Sequence, residues 1–577
     1  VGEAGRTDFG DLSRVEARGF AFRFRGTYLD YAAMTMRTRI DHTTIVRCRG
    51  SGVEVLEDGS IVFEGGVVRA VGPTSELSAE MPVGGGATPP LAELVGRPLG
   101  AILVHSGRLS REQLNRALER QAHSHHVIGQ TLLEMGFISE AEIEWALAVQ
   151  AGRQPAVAAA DTVVIDGTSY VVTPGLVNAH HHLFQSLTRC LGEVQTAPLF
   201  AWLTGLYARW RQVDEEALRL AATASLAELA LSGCTTTSDQ HYLFPAGRGV
   251  RIDAVLEAAE AVGLRIHAGR GCMTLGASAG GLPPDDCCES DEAVLADCGR
   301  VIDAYHDGRP HAMRRIDLAP CSPFNVSPAL FDAVRGLARE RGLLLHTHAA
   351  ETLEEERFCL ERFGLRPIAY LEQHGWLGRD VYLAHCVHVD ESEIELLAGT
   401  GTAVVHCPSS NMRLGSGIAP IRRMLDAGVR VGVGVDGGSS NDGGNVLAEA
   451  RQALLLQRVG GNPAGLTAGE AFRMVTAGGA DVLHRAELGG IEVGGAADLA
   501  MFDRRDPAFA GSLVQDAVGA LVLAHPPRPV HVFAAGRPIV QYGRLTRLDW
   551  GRLHAEFDRL VRERFGCETV AGAGPRV

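Results

Sequence analysis

From about residue 170 the chain alternates short apolar runs with amphipathic stretches. Eight apolar runs have their ends at VTPGLVNAHHH (His180), CTTTSDQHYL (Ser238), LRIHAGRG (Arg270), RIDLAPCSP (Pro320), LLLHTHAAE (His348), VYLAHCVH (His385), TAVVHCPSSN (His406) and RVGVGVDGG (Asp436), and polar residues gather there. Runs of this kind, bounded by Gly, Pro and Ser, predict buried strands. Stretches between them, such as DEEALRLAATASLAELALSG and SPALFDAVRGLARERG, carry apolar residues at helical spacing. Eight such units in succession predict an α/β fold, a parallel (β/α)8 TIM-like barrel. Its polar strand ends then share one pole, where barrels carry their chemistry.

On either side of the barrel the period changes. TTIVRCRG, SIVFEGGVVRAVG and DTVVIDGTSYVV ahead of it, and GGAADLAMFDR and RPVHVFAAGRPIVQYGR behind it, are strand-rich around Gly and Asp-Gly turns. They predict a small β-sandwich built from both chain ends. Between Gly72 and Asp161 the N-terminal part is interrupted by a helical repeat. Leu99-Gly100, Leu103, Gly107, Leu109-Ser110, Leu114, Ala117-Leu118 and Gln121 recur as Ile128-Gly129, Leu132, Gly136, Ile138-Ser139, Ile143, Ala146-Leu147 and Gln150. Ser110 and Ser139, ahead of Glu112 and Glu142, are placed as helix N-caps. The expected organisation is an N-terminal extension (1–35), a β-sandwich from 36–75 and 159–173, an inserted helical module (76–158), a barrel (174–488), and the rest of the sandwich with a C-terminal helix (489–577). A module inserted in the sheet and flanked by Gly, Pro and Ala is expected to be removable without loss of the barrel's activity.

Composition narrows the chemistry. Of 577 residues 46% are hydrophobic, enough for a large core, and no run approaches the ~18 apolar residues of a membrane helix. With 69 acidic against 54 basic residues the net charge is −15, the wrong sign for gripping a phosphate backbone. Neither nucleic acid nor membrane is an expected partner. All 54 basic residues are arginine. That excludes a Schiff base, a pyridoxal phosphate anchor, a phosphate-loop lysine and a carbamylated lysine bridging two metals. The 12 cysteines include no CxxC pair, and the N-terminal segment has no apolar signal core, so the expected compartment is the cytoplasm.

His180 and His182 stand at i and i+2 on a strand, so their imidazoles share one face and His181 takes the other. A single buried strand histidine is usually a hydrogen-bonded core residue. Here His348, His385 and Asp436 fall at strand ends of the same pole. Burying so many ionisable groups together costs free energy unless a cation or a function requires them. Three neutral imidazoles and one carboxylate suit Zn²⁺ first and Fe²⁺ second, with a position left for water whose pKa the ion lowers toward ~7. Glu351, three residues after His348, can reach the same cavity without ligating.

Together these residues resemble the amidohydrolase superfamily, in particular its mononuclear purine and cytosine deaminase branch. The resemblance implies that His180, His182, His348 and Asp436 hold one divalent metal ion. It also implies that Glu351, in the HxxE position, shuttles protons to the ring nitrogen and the leaving amine, that His385 orients or deprotonates the water, and that Asp436 shares in catalysis. The segments NAHHHLFQSLTR, PLFAWLTGLY, LAPCSPFNVSP, HTHAAETLEEERFCLERFGLRPIAYLEQHGWLG, HCPSSNMRLGSGIAP and VDGGSSNDGGNVLAEARQALLLQR are similar to the 8-oxoguanine deaminase family across the barrel. That similarity implies hydrolysis of an oxidised purine base (8-oxoguanine to urate and ammonia), with Gln185 and Cys321 as base-binding residues. The chain departs from that family at Gly437-Gly438, where Gly-Ser is more usual. The alternatives are an s-triazine or isoxanthopterin aminohydrolase of the same superfamily and, more remotely, an adaptor protein with an inactive barrel. Some triazine hydrolases lack the HxxE glutamate, so Glu351 favours deamination. The inserted repeat resembles the N-terminal domain of type II secretion and type IV pilus ATPases, whose motif LGxxLxxxGxIxxxxLxxALxxQ binds cyclic di-GMP in some members. Pro98 and Val127 stand where binding versions carry a basic residue, so no cyclic di-GMP binding is expected. A purine-like base and water are the expected small-molecule partners; a homo-oligomer and a protein partner for the insertion are the further candidates.

Overall fold

The computed structural model describes residues 37–80, 97–105, 109, 111–121, 127–135, 143, 146–147, 149–150, 162–524 and 528–566. Eight parallel strands pair in chain order: Leu176–Asn178, Cys234–His241, Arg265–Cys272, Arg314–Pro320, Leu345–Ala349, Val381–His385, Ala403–His406 and Arg430–Val433. The circle closes between the eighth and the first. The Ala179 N–H donates to the Val433 carbonyl (2.9 Å) and the Asp436 N–H to the His180 carbonyl (3.1 Å). His181 and His182 pair in parallel with Asp436 and Gly437. That closure sets Asp436 beside the first-strand histidines, 254 positions away from His182 in the chain.

Several helices between strands begin where the sequence supplies a cap. Asp214 accepts the Ala217 N–H at the start of Glu215–Leu231, and Ser327 caps Pro328–Arg341, which has proline in its first turn. Ala217, Ala221, Ala222 and Ala230 are fully buried along the first of these, so the helix lies close against its neighbours.

Strands from both chain ends form one hydrogen-bonded sheet of nine. Arg37–Arg49 pairs antiparallel with Gly52–Glu64 and parallel with Thr162–Asp166 and Tyr170–Pro174. Tyr170–Pro174 pairs antiparallel with Leu499–Asp503, from which His531–Ala534 and Arg537–Gln541 continue. The terminal helix Trp550–Arg564 is tied to the barrel through Arg564, whose guanidinium lies 2.8 Å from the Asp214 cap carboxylate.

The insertion contributes helices Leu99–His105, Arg111–Gln121 and Ile128–Glu134. Ile102, Leu103, Leu109, Ala117, Leu132, Ala146 and Val149 form a hydrophobic cluster of their own. Its repeated glycines have a packing reason. A Cβ on Gly100 would stand 2.6 Å from Leu114 Cδ1, and one on Gly129 3.1 Å from Leu99 Cδ2. Pro98 and Val127 are exposed. Residues 1–35, the insertion's Gly, Pro and Ala-rich flanks, and Ser110, Ser139 and Glu142 lie outside the described residues. Among the described residues no helix is long and apolar enough to cross a membrane.

Candidate metal centre and cavity

At the C-terminal pole of the barrel, His180 Nε2 and His182 Nε2 lie 3.3 and 3.2 Å from Asp436 Oδ1. His348 Nε2 is 3.0 Å from His182 Nε2. The ligand atoms of these four buried residues all fall within 4.8 Å of one another. His181, on the alternate face, is buried and outside this cluster.

The hydrogen bonds behind the histidines fix which nitrogen faces inward. His182 Nδ1 lies 2.9 Å from the Gln240 carbonyl and His348 Nδ1 2.6 Å from the Cys321 carbonyl. A carbonyl only accepts, so each Nδ1 carries the proton and each Nε2 a lone pair. His180 reaches the same state through a relay. His346 Nδ1 donates to the Tyr382 carbonyl (2.8 Å), which leaves His346 Nε2 to accept from His180 Nδ1 (2.8 Å). His180 Nε2 is then a buried atom with no hydrogen-bond partner. Burial holds His180, His182 and His348 below the ordinary imidazole range, so their inward nitrogens are neutral lone-pair donors. Three converging lone pairs beside a carboxylate repel one another unless a cation sits among them. This donor set therefore fits a divalent metal.

His346 stands two residues before His348 and stacks on Tyr382, with ring centroids 4.0 Å apart and planes 9° from parallel. Replacing it with Phe should free His180 to take the other tautomer. Metal affinity should then fall by roughly 10–100-fold, as expected when the partner of a ligating histidine is lost. Competition against a chromophoric chelator measures this, and unchanged affinity would contradict the relay.

Several residues here hold left-handed backbone: Ala350 (φ 51°), His385 (φ 73°), Cys386 (φ 46°) and Asp436 (φ 62°). Each such residue costs roughly 1–3 kcal/mol and persists only where its surroundings dictate it. At Asp436 the neighbours do so. The Val435 N–H donates to Asn178 Oδ1 (2.8 Å), and Asn441 Nδ2 donates to the Val435 carbonyl (2.6 Å).

Glu351 follows the fifth strand and is buried; Ser416 Oγ donates to its Oε1 at 3.4 Å. Burial pushes its carboxyl above the usual carboxylate range, which suits a group that must carry a proton near neutrality. His385 donates from Nδ1 to Asn411 Oδ1 (2.9 Å). Its Nε2 faces Glu351 Oε2 (3.7 Å) and Asp436 Oδ2 (3.9 Å).

These groups open into a cavity. Gln185 and Cys321 both line it, and Gln185 Nε2 donates to Tyr242 Oη at 3.2 Å. A Cβ at Gly437 would sit 1.8 Å from Gln185 Oε1, so a larger residue there would displace the Gln185 amide. At Gly438, where the related family more usually has serine, a Cβ would stand 3.0 Å from Ser186 Cα. The cavity also takes Trp202 and Leu203 from helix Leu199–Trp210, along with Tyr242 and Asn325. Sequence reasoning did not single these out. Their segments, PLFAWLTGLY, HYLFP and LAPCSPFNVSP, carry no chemical spacing of their own, and only the fold turns them inward.

Comparison with known proteins gives the same frame. The model of the Amidohydrolase family matches residues 171–539. The chain is 45% identical over 405 residues to the 8-oxoguanine deaminase of Pseudomonas aeruginosa, covering 70% of this chain and 89% of that one. It is 39% identical over 419 residues to an isoxanthopterin deaminase from an unknown prokaryotic organism, covering 69% and 87%. Among solved structures, the zinc complex of atrazine chlorohydrolase from Arthrobacter aurescens TC1 superposes with a TM-score of 0.73 at 30% identity, covering 91% of this chain and 100% of that one.

Proposed function

The chain belongs to the amidohydrolase family and is a hydrolase of carbon–nitrogen bonds; on that premise we propose that it deaminates 8-oxoguanine to urate and ammonia, with one divalent metal ion per chain. The ion, Zn²⁺ in the first instance, would be held by His180, His182, His348 and Asp436, and when bound it supplies the Lewis acidity that makes water nucleophilic at neutral pH. Glu351 delivers its proton to the ring nitrogen next to the amine-bearing carbon. The proton that His385 takes from water then passes to Glu351, whose Oε2 lies 3.7 Å from His385 Nε2, and on to the departing amine; the proton left on the new hydroxyl as the C–N bond breaks returns to Glu351. His385 Nε2 receives the proton released from water, and the Asn411 bond keeps that nitrogen turned inward. Gln185 and Cys321 orient the base.

The observation that carries the substrate reading is Cys321. It lines the cavity together with Glu351, and Asn325 Nδ2 donates to its sulfur at 3.4 Å. Burial pushes its thiol up to about 12, so it stays protonated. With its sulfur already accepting, its S–H is free to donate to a carbonyl oxygen. The C8 oxygen of 8-oxoguanine is such an acceptor, and guanine lacks it. The 45% identity to a deaminase of that base supports the same reading.

The test is ammonia release from 8-oxoguanine, guanine, isoxanthopterin, cytosine and aminated triazines. Expected is a kcat/KM for 8-oxoguanine on the order of 10²-fold or more above guanine, because a buried polar group left unpaired discriminates strongly. Comparable values for the two purines, or a higher value for isoxanthopterin or a triazine, would overturn the assignment.

A further inference from the structure

Glu355 is wholly buried four residues beyond Glu351, in the first turn of the helix Leu353–Phe363. Among the described residues its carboxylate has no guanidinium partner. Oε1 accepts the backbone N–H of Ala350 at 3.1 Å and Oε2 accepts that of Glu351 at 2.7 Å. A carboxylate sealed from water and held only by neutral donors is costly, so a requirement of the turn must sustain it. Capping the helix is not that requirement, since Thr352 Oγ1 already accepts the Glu355 N–H (3.3 Å).

The turn it grips is strained and shared. Ala350 has φ 51°. Its carbonyl accepts the N–H groups of Val387 and His388, both at 2.9 Å, and the preceding Ala349 carbonyl accepts that of Cys386 at 3.0 Å. The sixth strand's end, with His385 and Cys386 also left-handed, thus rests on the same turn. We infer that Glu355 is a positioning residue for the proton-transfer pair: its two oxygens hold the left-handed turn at Ala350, and so set the Glu351 carboxylate directly and the His385 imidazole through the Ala349 and Ala350 carbonyls. This rests on the roles proposed for Glu351 and His385 in deamination.

Glu355→Gln tests it in the full-length, metal-loaded protein, because the amide turns one acceptor into a donor facing a backbone N–H. In its crystal structure without substrate, Glu351 Oε2 should move away from His385 Nε2 by about 1 Å or more from the present 3.7 Å. On the best base of the panel, kcat should fall roughly 10²-fold with KM within about threefold and the metal content unchanged, the pattern of misplaced chemistry rather than lost binding. Glu355→Asp keeps both acceptors on a shorter stem. It should lose about tenfold in kcat, and it decides the matter if the glutamine variant does not fold. An unmoved Glu351, a kcat within about threefold of the parent in a folded variant, or a loss accounted for by missing metal would overturn the inference. A parent inactive on every base would refute the substrate reading instead, and the variant's structure would still decide this one.

Discussion

Exhaustive chelation should abolish turnover while leaving the barrel folded, and one equivalent of Zn²⁺ per chain should restore it. The three inward Nε2 lone pairs and the Asp436 carboxylate are held by bonds that do not involve the ion: the Gln240 and Cys321 carbonyls, the His346 relay, and the Asn178 and Asn441 contacts to Val435. The donor set is therefore preformed, and removing the cation leaves it self-repelling rather than collapsed. Stability should drop measurably, since free metal at 1,000 times its Kd contributes about 4.1 kcal/mol to the folded state. Asp436→Asn should mimic chelation, because the amide keeps the shape but loses the charge that offsets the cation. Elemental analysis, ammonia release and thermal unfolding track the three quantities. Two tightly held ions in active enzyme, or full activity in metal-free protein, would refute the single-ion centre, for which the absence of any lysine is the chemical ground.

Glu351→Gln should lower kcat by ~10²–10⁴-fold while the metal stays bound, the range that a positioned acid or base supplies. The side chain faces His385 at 3.7 Å and is not among the candidate metal-holding residues, so its loss should remove proton transfer and spare the ion. Gln keeps the volume and the Ser416 contact but carries no titratable proton. Rapid-quench kinetics with metal analysis on the same sample would separate the two effects. Parallel loss of metal and activity would mean that Glu351 serves the centre's assembly instead.

The barrel was legible because its signal is repeated. Polar residues cluster at the strand ends, and several helices open on a cap such as Asp214 or Ser327, so local rules agree unit after unit. The inserted repeat carries a signal of the same repeated kind, and at its glycines 100 and 129 the described side chains approach closely. Residues without a spacing of their own were not. Trp202, Tyr242 and Asn325 look like ordinary core and loop positions until the fold brings them to the cavity. Glu355 reads as one more acid in ETLEEERF, although it is buried while Glu354 and Glu356 on either side are only partly so, Glu356 meeting Arg366.

The two HxH pairs show where local reasoning ends. His180/His182 and His346/His348 have the same spacing on strands, and the period of two puts both members of each pair on one face. Sequence alone determined that much, and with it the residue types, the pole they occupy and the exclusion of a lysine bridge. Spacing by itself does not distinguish the members of the second pair; His348 stands out only by its place at the strand end and by the family resemblance. Two residues along a strand are about 7 Å, and that depth turns His346 from a potential ligand into the partner that orients His180. Depth depends on how the eighth strand closes against the first, through contacts such as Asn178 to Val435 across 257 positions. Spacing along one strand reports which face a side chain takes. Which atoms meet there is decided by the closure of the whole barrel, because ligation and orientation differ by a few ångströms between elements far apart in the chain.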